Sequence, residues 1–176
     1  MSDPTLRLFF ALPCPDPLRP VLSAWRDGLG LDGRPAAPAN LHLTLAFLGS
    51  LPSTRLPQLR RIGAALQCHH RFELHLQRLE QWKHGLTVLM PDAPPQALLE
   101  LQRDLGQRLV AQGLAQDNPD FRPHVTLFRQ AAPIARHPQV SLRWPAERVV
   151  LCLSENLPGG VRYREMDSWP LPPDTR

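Results

Sequence analysis

Two short stretches carry side chains able to do acid–base chemistry, and they share one pattern. The first is Leu41 to Gly49, LHLTLAFLG; the second is Pro123 to Arg129, PHVTLFR. Each sets a histidine two residues before a threonine: His42 and Thr44, then His124 and Thr126. Histidine is the side chain whose unperturbed pKa lets it give or take a proton near neutrality. In an extended strand alternate side chains share a face. The histidine and threonine of each copy therefore point one way, with Leu43, Leu45, Val125 and Leu127 turned the other way into a core. Displacement at phosphorus runs roughly in line, the nucleophile entering opposite the departing oxygen. A base and an acid are then wanted on opposite sides of one phosphate, and a duplicated histidine strand supplies both. The threonine hydroxyls can donate to non-bridging phosphate oxygens, as uncharged donors do elsewhere.

Rival chemistries fit poorly. The chain has no GxSxG nucleophile elbow. It has no HExxH and no GxxxxGK phosphate loop. Neither histidine copy has a second histidine or a carboxylate at metal-ligand spacing, so no metal or other cofactor is expected. That favours a substrate needing little electrophilic help, such as a strained cyclic phosphodiester leaving through a ribose hydroxyl. Arg129, closing the second stretch, is a candidate cationic phosphate clamp. Simple alternation puts it on the face opposite His124, so a strand end or bulge has to turn it. Trp82, beside Lys83 and His84, could stack on a base or merely anchor its loop. His69, His70, His75, His84 and His137 lack any matching context and read as solvated surface residues. Arg60 and Arg61 read as facing solvent from a helix, and Trp25 as core.

The elements that must position these residues follow from periodicity. Thr5 to Leu12 has a buried-strand composition closed by Pro13. Asp16 is placed to cap a helix whose stripe is Leu18, Val21, Leu22, Trp25 and Leu29. The Gly-, Pro- and Ala-rich run from Gly30 to Asn40 is a loop that delivers the chain to the first motif strand. A second helix spans about Pro57 to Gln67, with Leu59, Ile62 and Leu66 inward. Phe72 to Leu79 and Leu86 to Met90 read as neighbouring strands. A long helix then runs to about Gln112 on the stripe Leu98, Leu101, Leu105 and Leu109, with Gly113 to end it. After the second motif strand, Val140 to Trp144, Arg148 to Leu153 and Val161 to Trp169 read as strands, and Asn156 to Gly160 (NLPGG) turns the last two. Each motif strand follows a helix after a loop of similar length, which points to an internal duplication. Consecutive hairpin strands argue for mostly antiparallel sheets with helices packed outside, an α+β arrangement.

Composition sets the bounds. The chain has 176 residues and 43% hydrophobic content, enough for one packed domain, 1–176, of two lobes sharing a core. No apolar run reaches membrane-spanning length, so no membrane partner is expected. The opening MSDPTLRLFFALP lacks a basic n-region and reads as a strand in place of a signal peptide. Three cysteines, Cys14, Cys68 and Cys152, with no CxxC spacing fit a reducing compartment and neither a disulfide framework nor a zinc site. A cytoplasmic location is the expectation. The net charge of +4 rests almost wholly on arginine, with Lys83 the single lysine. Guanidinium forks suit phosphate ligands, although Arg-, Pro-, Ala- and Leu-rich composition is also what a GC-rich genome's codon bias produces.

HLTLAFLG with HVTLFR resembles the paired H-x-T-hydrophobic motif of the two-histidine phosphoesterases. More specifically, the chain is similar to the bacterial RNA 2′,3′-cyclic phosphodiesterase family, also described as 2′-5′ RNA ligases. The likeness takes in RLFFALP, NLHLTLAFLG, FRPHVTL and SENLPGGVRYREMDSWPL, nearly the whole chain. It implies a bilobal α+β fold with a central cleft between two antiparallel sheets and a metal-independent reaction. It also implies roles: His42 as proton donor to the leaving 3′-oxygen, His124 as the base activating water, and Thr44 and Thr126 as phosphate contacts. The product would be a 2′-phosphate. Expected partners are RNA ends or nucleotides bearing a 2′,3′-cyclic phosphate, tRNA halves among them, met by a monomeric enzyme. Two other readings stay open on sequence: a nucleotide- or RNA-binding module without turnover, and a phosphodiesterase for another small cyclic phosphate such as ADP-ribose 1″,2″-cyclic phosphate.

Overall fold

A computed structural model describes residues 2–175 of the chain. Its elements run β1 (Thr5–Pro13), α1 (Leu18–Asp27), β2 (Arg34–Pro35), β3 (His42–Pro52), α2 (Leu56–Ala65), β4 (Phe72–Gln81), β5 (Thr87–Pro91), α3 (Gln96–Ala111), β6 (Val125–Arg129), β7 (Leu142–Ala146), β8 (Arg148–Leu157) and β9 (Gly160–Pro170). The expected order of elements is therefore present, with boundaries moved by a few residues and one short strand, β2, not foreseen. No helix among the described residues is long and apolar enough to cross a membrane.

The strands form one nine-stranded sheet in the order β7-β4-β5-β6-β3-β1-β8-β9, with β2 also paired to β6. Every strand pairing among the described residues is antiparallel. The order is a palindrome about its centre: β3-β1-β8-β9 on one side, β6-β5-β4-β7 on the other. Each half also contains a β–α–β unit ending in a motif strand, β1-α1-β3 and β5-α3-β6. This is the duplication that the repeated motif announced. The two expected sheets are the halves of one sheet, joined through a single residue pair, Leu43 with Val125. Beyond it β6 pairs with β2 at Phe128 and Arg129. The two halves thus splay from one point, and the splay opens a cleft.

The faces of the sheet differ. On one, Leu22 of α1, Leu59 and Ile62 of α2, and Leu98, Leu101, Leu105 and Leu109 of α3 pack with Leu8, Phe10, Leu12, Leu43, Leu45, Val125 and Leu127 in one core cluster. The four α3 leucines are fully buried, each stabilising by roughly 1.5–3 kcal/mol. On the other, Phe9, Ala11, Val150 and Cys152 form a small apolar floor with Tyr163 against it. Alternation along β1 explains the division, since 8, 10 and 12 face the helices and 9 and 11 face away. At the end of α3, Gly113 takes φ 68° and Leu114 N–H reaches Leu109 O at 2.9 Å, the left-handed stop its position predicts. Gly63 is required for a different reason: a Cβ there would sit 2.5 Å from the Trp169 ring.

Four local expectations are corrected. No side-chain cap bond closes the start of α1 among the described residues; Asp16 instead pairs with Arg19 at 3.2 Å. Val21 is 52% exposed, because the buried side of α1 is Leu22, Ser23 and Arg26. Arg60 does not simply face solvent; it pairs with Asp167 of β9. His69 is not a free surface histidine, since its Nε2 lies 2.8 Å from Asp104 Oδ2. Trp25 packs against the core as expected.

Candidate active site

The junction of the two half-sheets fixes the site. Antiparallel pairing of Leu43 with Val125, extended one residue each way, sets His42 across from Thr126 and Thr44 across from His124. The burial pattern matches: Leu43, Leu45, Val125 and Leu127 are buried, while His42, Thr44, His124 and Thr126 are half-buried on the opposite face. The four motif side chains are therefore interleaved at the apex of the cleft. The alternation read from sequence holds on both strands.

Alternation then fails one residue later, in the same place on both. Against β1, β3 steps from Thr44 opposite Ala11 to Ala46 opposite Phe10, leaving Leu45 as an extra residue. Against β5, β6 steps from Thr126 opposite Val88 to Phe128 opposite Thr87, leaving Leu127 extra. Such a bulge turns the following side chains over. On β6 the consequence is that Leu127 and Phe128 are both buried in succession, and Arg129 emerges exposed on the His124 side. Its guanidinium presses down the pKa of both His42 and His124, so its charge reaches both imidazoles. The bulge that Arg129 needed is present.

Each imidazole is held the same way. His42 Nδ1 lies 2.7 Å from Asn40 O, and His124 Nδ1 lies 2.8 Å from Arg122 O, in each case the carbonyl two residues back. A carbonyl only accepts, so Nδ1 carries a proton in both rings and Nε2 is the atom left for chemistry. His42 Nε2 lies 2.9 Å from Thr44 Oγ1. Each ring also meets an aromatic edge: Tyr163 at 5.0 Å from His42, Trp82 at 4.7 Å from His124. Phe9 lies 4.9 Å from His42 on the floor beneath it.

Beyond this the surroundings diverge. Asn40 ties the His42 side to β9: its Nδ2 donates to Val161 O at 2.8 Å and its Oδ1 accepts from Tyr163 N–H at 3.1 Å. On the His124 side, Trp82 Nε1 donates to Glu80 Oε2 at 2.8 Å, and Arg122 lies over the Trp82 ring at 4.4 Å while also donating to Glu80 at 3.1 Å. Burial is the main force lowering the pKa of each histidine. Its carbonyl bond opposes this in each case; the charges of His124 and Arg129 add to the lowering at His42, and those of Arg122 and Arg129 at His124. Both rings are thus biased toward the neutral form in the free chain.

The structure therefore brings together His42, Thr44, His124 and Thr126, with Arg129 and Trp82 beside them. His75 bonds Ser141, and His70, His84 and His137 are exposed, so these stay outside the cluster. Asn40, Tyr163, Phe9, Glu80 and Arg122 were not singled out by sequence. Asn40 and Arg122 share a signal, each standing two residues before a motif histidine; Tyr163 and Glu80 come from remote strands and had none. A larger hollow of about 660 Å³, between α3, the segment 114–121 and Phe47, is lined by none of the four motif side chains.

Known proteins share the sequence and the fold. An RNA 2′,3′-cyclic phosphodiesterase of Escherichia coli K12 is 33% identical over 176 residues, covering 97% of this chain and 99% of the relative. One of Thermus thermophilus is 32% identical over 180 residues, covering 94% and 90%. The crystal structure of E. coli LigT complexed with 3′-AMP superposes with a TM-score of 0.87 at 31% identity, covering 96% of this chain and 99% of that one. The model of the 2′-5′ RNA ligase superfamily matches residues 14–152, from the end of β1 through both motif strands into β8, and the chain belongs to that family.

Proposed function

We propose that this chain is an RNA 2′,3′-cyclic phosphodiesterase, opening the cyclic phosphate of RNA ends or nucleotides to a 2′-phosphomonoester. The observation that carries the reading is the pair of imidazoles fixed through Nδ1 on two strands that meet at the cleft apex, leaving both Nε2 atoms for proton transfer. His124 Nε2 takes a proton from water as the water oxygen bonds to phosphorus. The bond from phosphorus to O3′ breaks, and His42 Nε2–H delivers its proton to that oxygen. The two histidines end the turnover with exchanged protonation and reset through solvent.

Each imidazole faces two cations, His124 those of Arg122 and Arg129 and His42 those of His124 and Arg129; the roles of base and acid are carried over from the family. The phosphate anion, once bound, offsets the burial that disfavours protonated His42. In the free chain the Thr44 hydroxyl donates to neutral His42 Nε2; once His42 is protonated its Nε2–H is given to O3′ and the Thr44 hydroxyl turns to a non-bridging phosphate oxygen. Thr126 serves the same purpose from β6, and Arg129 balances the phosphate charge. Neither imidazole nitrogen at a carbonyl is available to a metal, which fits a metal-independent reaction. The E. coli relative solved with 3′-AMP supports a cleft that accepts a nucleotide monophosphate. We extend the reading to a cytoplasmic monomer acting on RNA ends such as tRNA halves.

The test is turnover of an oligonucleotide ending in a 2′,3′-cyclic phosphate, in EDTA, with the product isomer identified. A 2′-phosphate is expected, with His42→Ala and His124→Ala each losing about 10²–10⁴-fold in turnover. Activity that requires a divalent ion, or survives either substitution, would overturn the mechanism. Faster turnover of ADP-ribose 1″,2″-cyclic phosphate would move the substrate class, binding without turnover would leave a recognition module, and 2′-5′ joining of ends would show the reverse reaction.

A further inference from the structure

The face of the sheet that carries the helices holds a second cluster unrelated to the cleft. Cys68 closes the short turn Leu66–Cys68 that follows α2, His69 is the next residue, and Asp104 lies in the middle of α3. One ligand atom from each lies within 4.8 Å of the other two. The geometry points to a divalent-metal site here, taking Zn²⁺ through the Cys68 thiolate, the His69 imidazole and the Asp104 carboxylate.

Three features support this assignment. The donor set matches zinc, which takes cysteine sulfur, histidine nitrogen and carboxylate oxygen and binds four ligands in a tetrahedron. With one thiolate, one carboxylate and a neutral imidazole, the ligands carry two negative charges, which cancel those of the ion. Second, the geometry is nearly closed. Tetrahedral zinc at its usual bond lengths needs ligand atoms about 3.3–3.6 Å apart. His69 Nε2 and Asp104 Oδ2 are at 2.8 Å and separate slightly as the metal takes the place of the proton between them. Cys68 is exposed and closes the rest by turning its side chain. Third, Asp104 is already oriented. Its other oxygen, Oδ1, accepts from Arg108 Nε at 2.8 Å, which leaves Oδ2 for the ion; outer contacts of this kind fix ligands in metal sites. On binding, the Cys68 thiol gives its proton to solvent and a water completes the tetrahedron on the exposed side. The ion would tie the end of α2 to α3 and take no part in the cleft.

Cobalt(II) is the probe, titrated into the full chain under reducing conditions. One equivalent should bind with a thiolate-to-cobalt charge-transfer band and tetrahedral visible bands, and zinc should displace it. Cys68→Ser should abolish the charge-transfer band, and His69→Gln should weaken binding by more than about tenfold. The band should persist in His124→Ala, and zinc should raise the melting temperature of wild type but not of Cys68→Ser. Absence of the band in wild type overturns the site without recourse to any variant. So does a band that survives in Cys68→Ser or disappears in His124→Ala. None of these readouts depends on turnover, so they stand apart from the test of the cleft.

Discussion

Asn40→Ala separates the scaffold of the cleft from its chemistry. The backbone carbonyl of Asn40 holds His42 Nδ1, and the side chain holds β9 through Val161 O and Tyr163 N–H. Alanine keeps the carbonyl and deletes both side-chain bonds. Each is worth about 0.5–1.5 kcal/mol net, and their partial exposure sets the total at about 1–2 kcal/mol. For a chain of this size that lowers the melting temperature by about 2–8 °C. The larger effect is on rate. Tyr163 meets His42 edge-on, so releasing β9 frees one wall of the imidazole, and a misplacement of ~1 Å can cost ~100-fold. Turnover of a 2′,3′-cyclic nucleotide should fall about 10- to 100-fold while KM changes little. Asn40→Asp supplies a readout that lost stability alone would not move: a carboxylate beside His42 raises its pKa and shifts the pH profile upward. If Asn40→Ala melts lower but turns over within about twofold of wild type, Asn40 does not position the acid.

Both histidines have pKa values below the ordinary 6.5 in the free chain, burial being the main cause. The kcat/KM bell should therefore peak on the acid side of that value, and a basic limb above it would contradict the electrostatics. A bound phosphate anion stabilises imidazolium, so the kcat bell should lie at higher pH than the kcat/KM bell. His42→Ala combined with His124→Ala should cost less than the sum of the single losses, since the two act as one unit; a fully additive double mutant in the same turnover assay would argue against opposed proton transfer. Arg129→Ala should raise KM and weaken binding of a nucleotide 2′-phosphate, measured by calorimetry, with the fold intact; unchanged affinity removes Arg129 from the site. Gly63→Ala drives a methyl group into Trp169 and should cost about 1–3 kcal/mol in a denaturant titration; an unchanged midpoint would mean that α2 shifts freely away from β9.

What the sequence made legible was local. His42–Thr44 and His124–Thr126 could be assigned to one face because strand alternation needs only neighbours. The leucines of α3 could be assigned to the core because four of them recur at helical spacing. What it did not reveal came from pairings between distant segments. Tyr163 reaches His42 only because β8 and β9 lie beyond β1 in the sheet. Trp82 reaches His124 through the end of β4. His69 looked solvated because its partner, Asp104, lies 35 residues away on α3. The position of Arg129 was an intermediate case. Alternation gave the wrong face, and the bulge that corrects it depends on β5, which no local pattern in β6 encodes.

The duplicated scaffold nonetheless yields two histidines with different neighbours. Strand order, bulge position and the Nδ1 anchor are repeated between the halves, so the backbone alone would give two equivalent imidazoles. Equivalent imidazoles have no preferred direction of proton flow. The difference is supplied by the residues flanking each repeat. After the β6 bulge the chain presents Arg129; at the matching position after the β3 bulge it presents Phe47, 54% exposed, with Arg7 over its ring at 5.1 Å. Before His124 stands Arg122, a cation; before His42 stands Asn40, an amide. On the β6 side the flanking cations are Arg129 and Arg122, the latter paired with Glu80; on the β3 side the nearest cation, Arg7, lies over Phe47. The repeat therefore sets the two imidazoles in matching backbone frames, and the side chains on either side of each motif give them different surroundings.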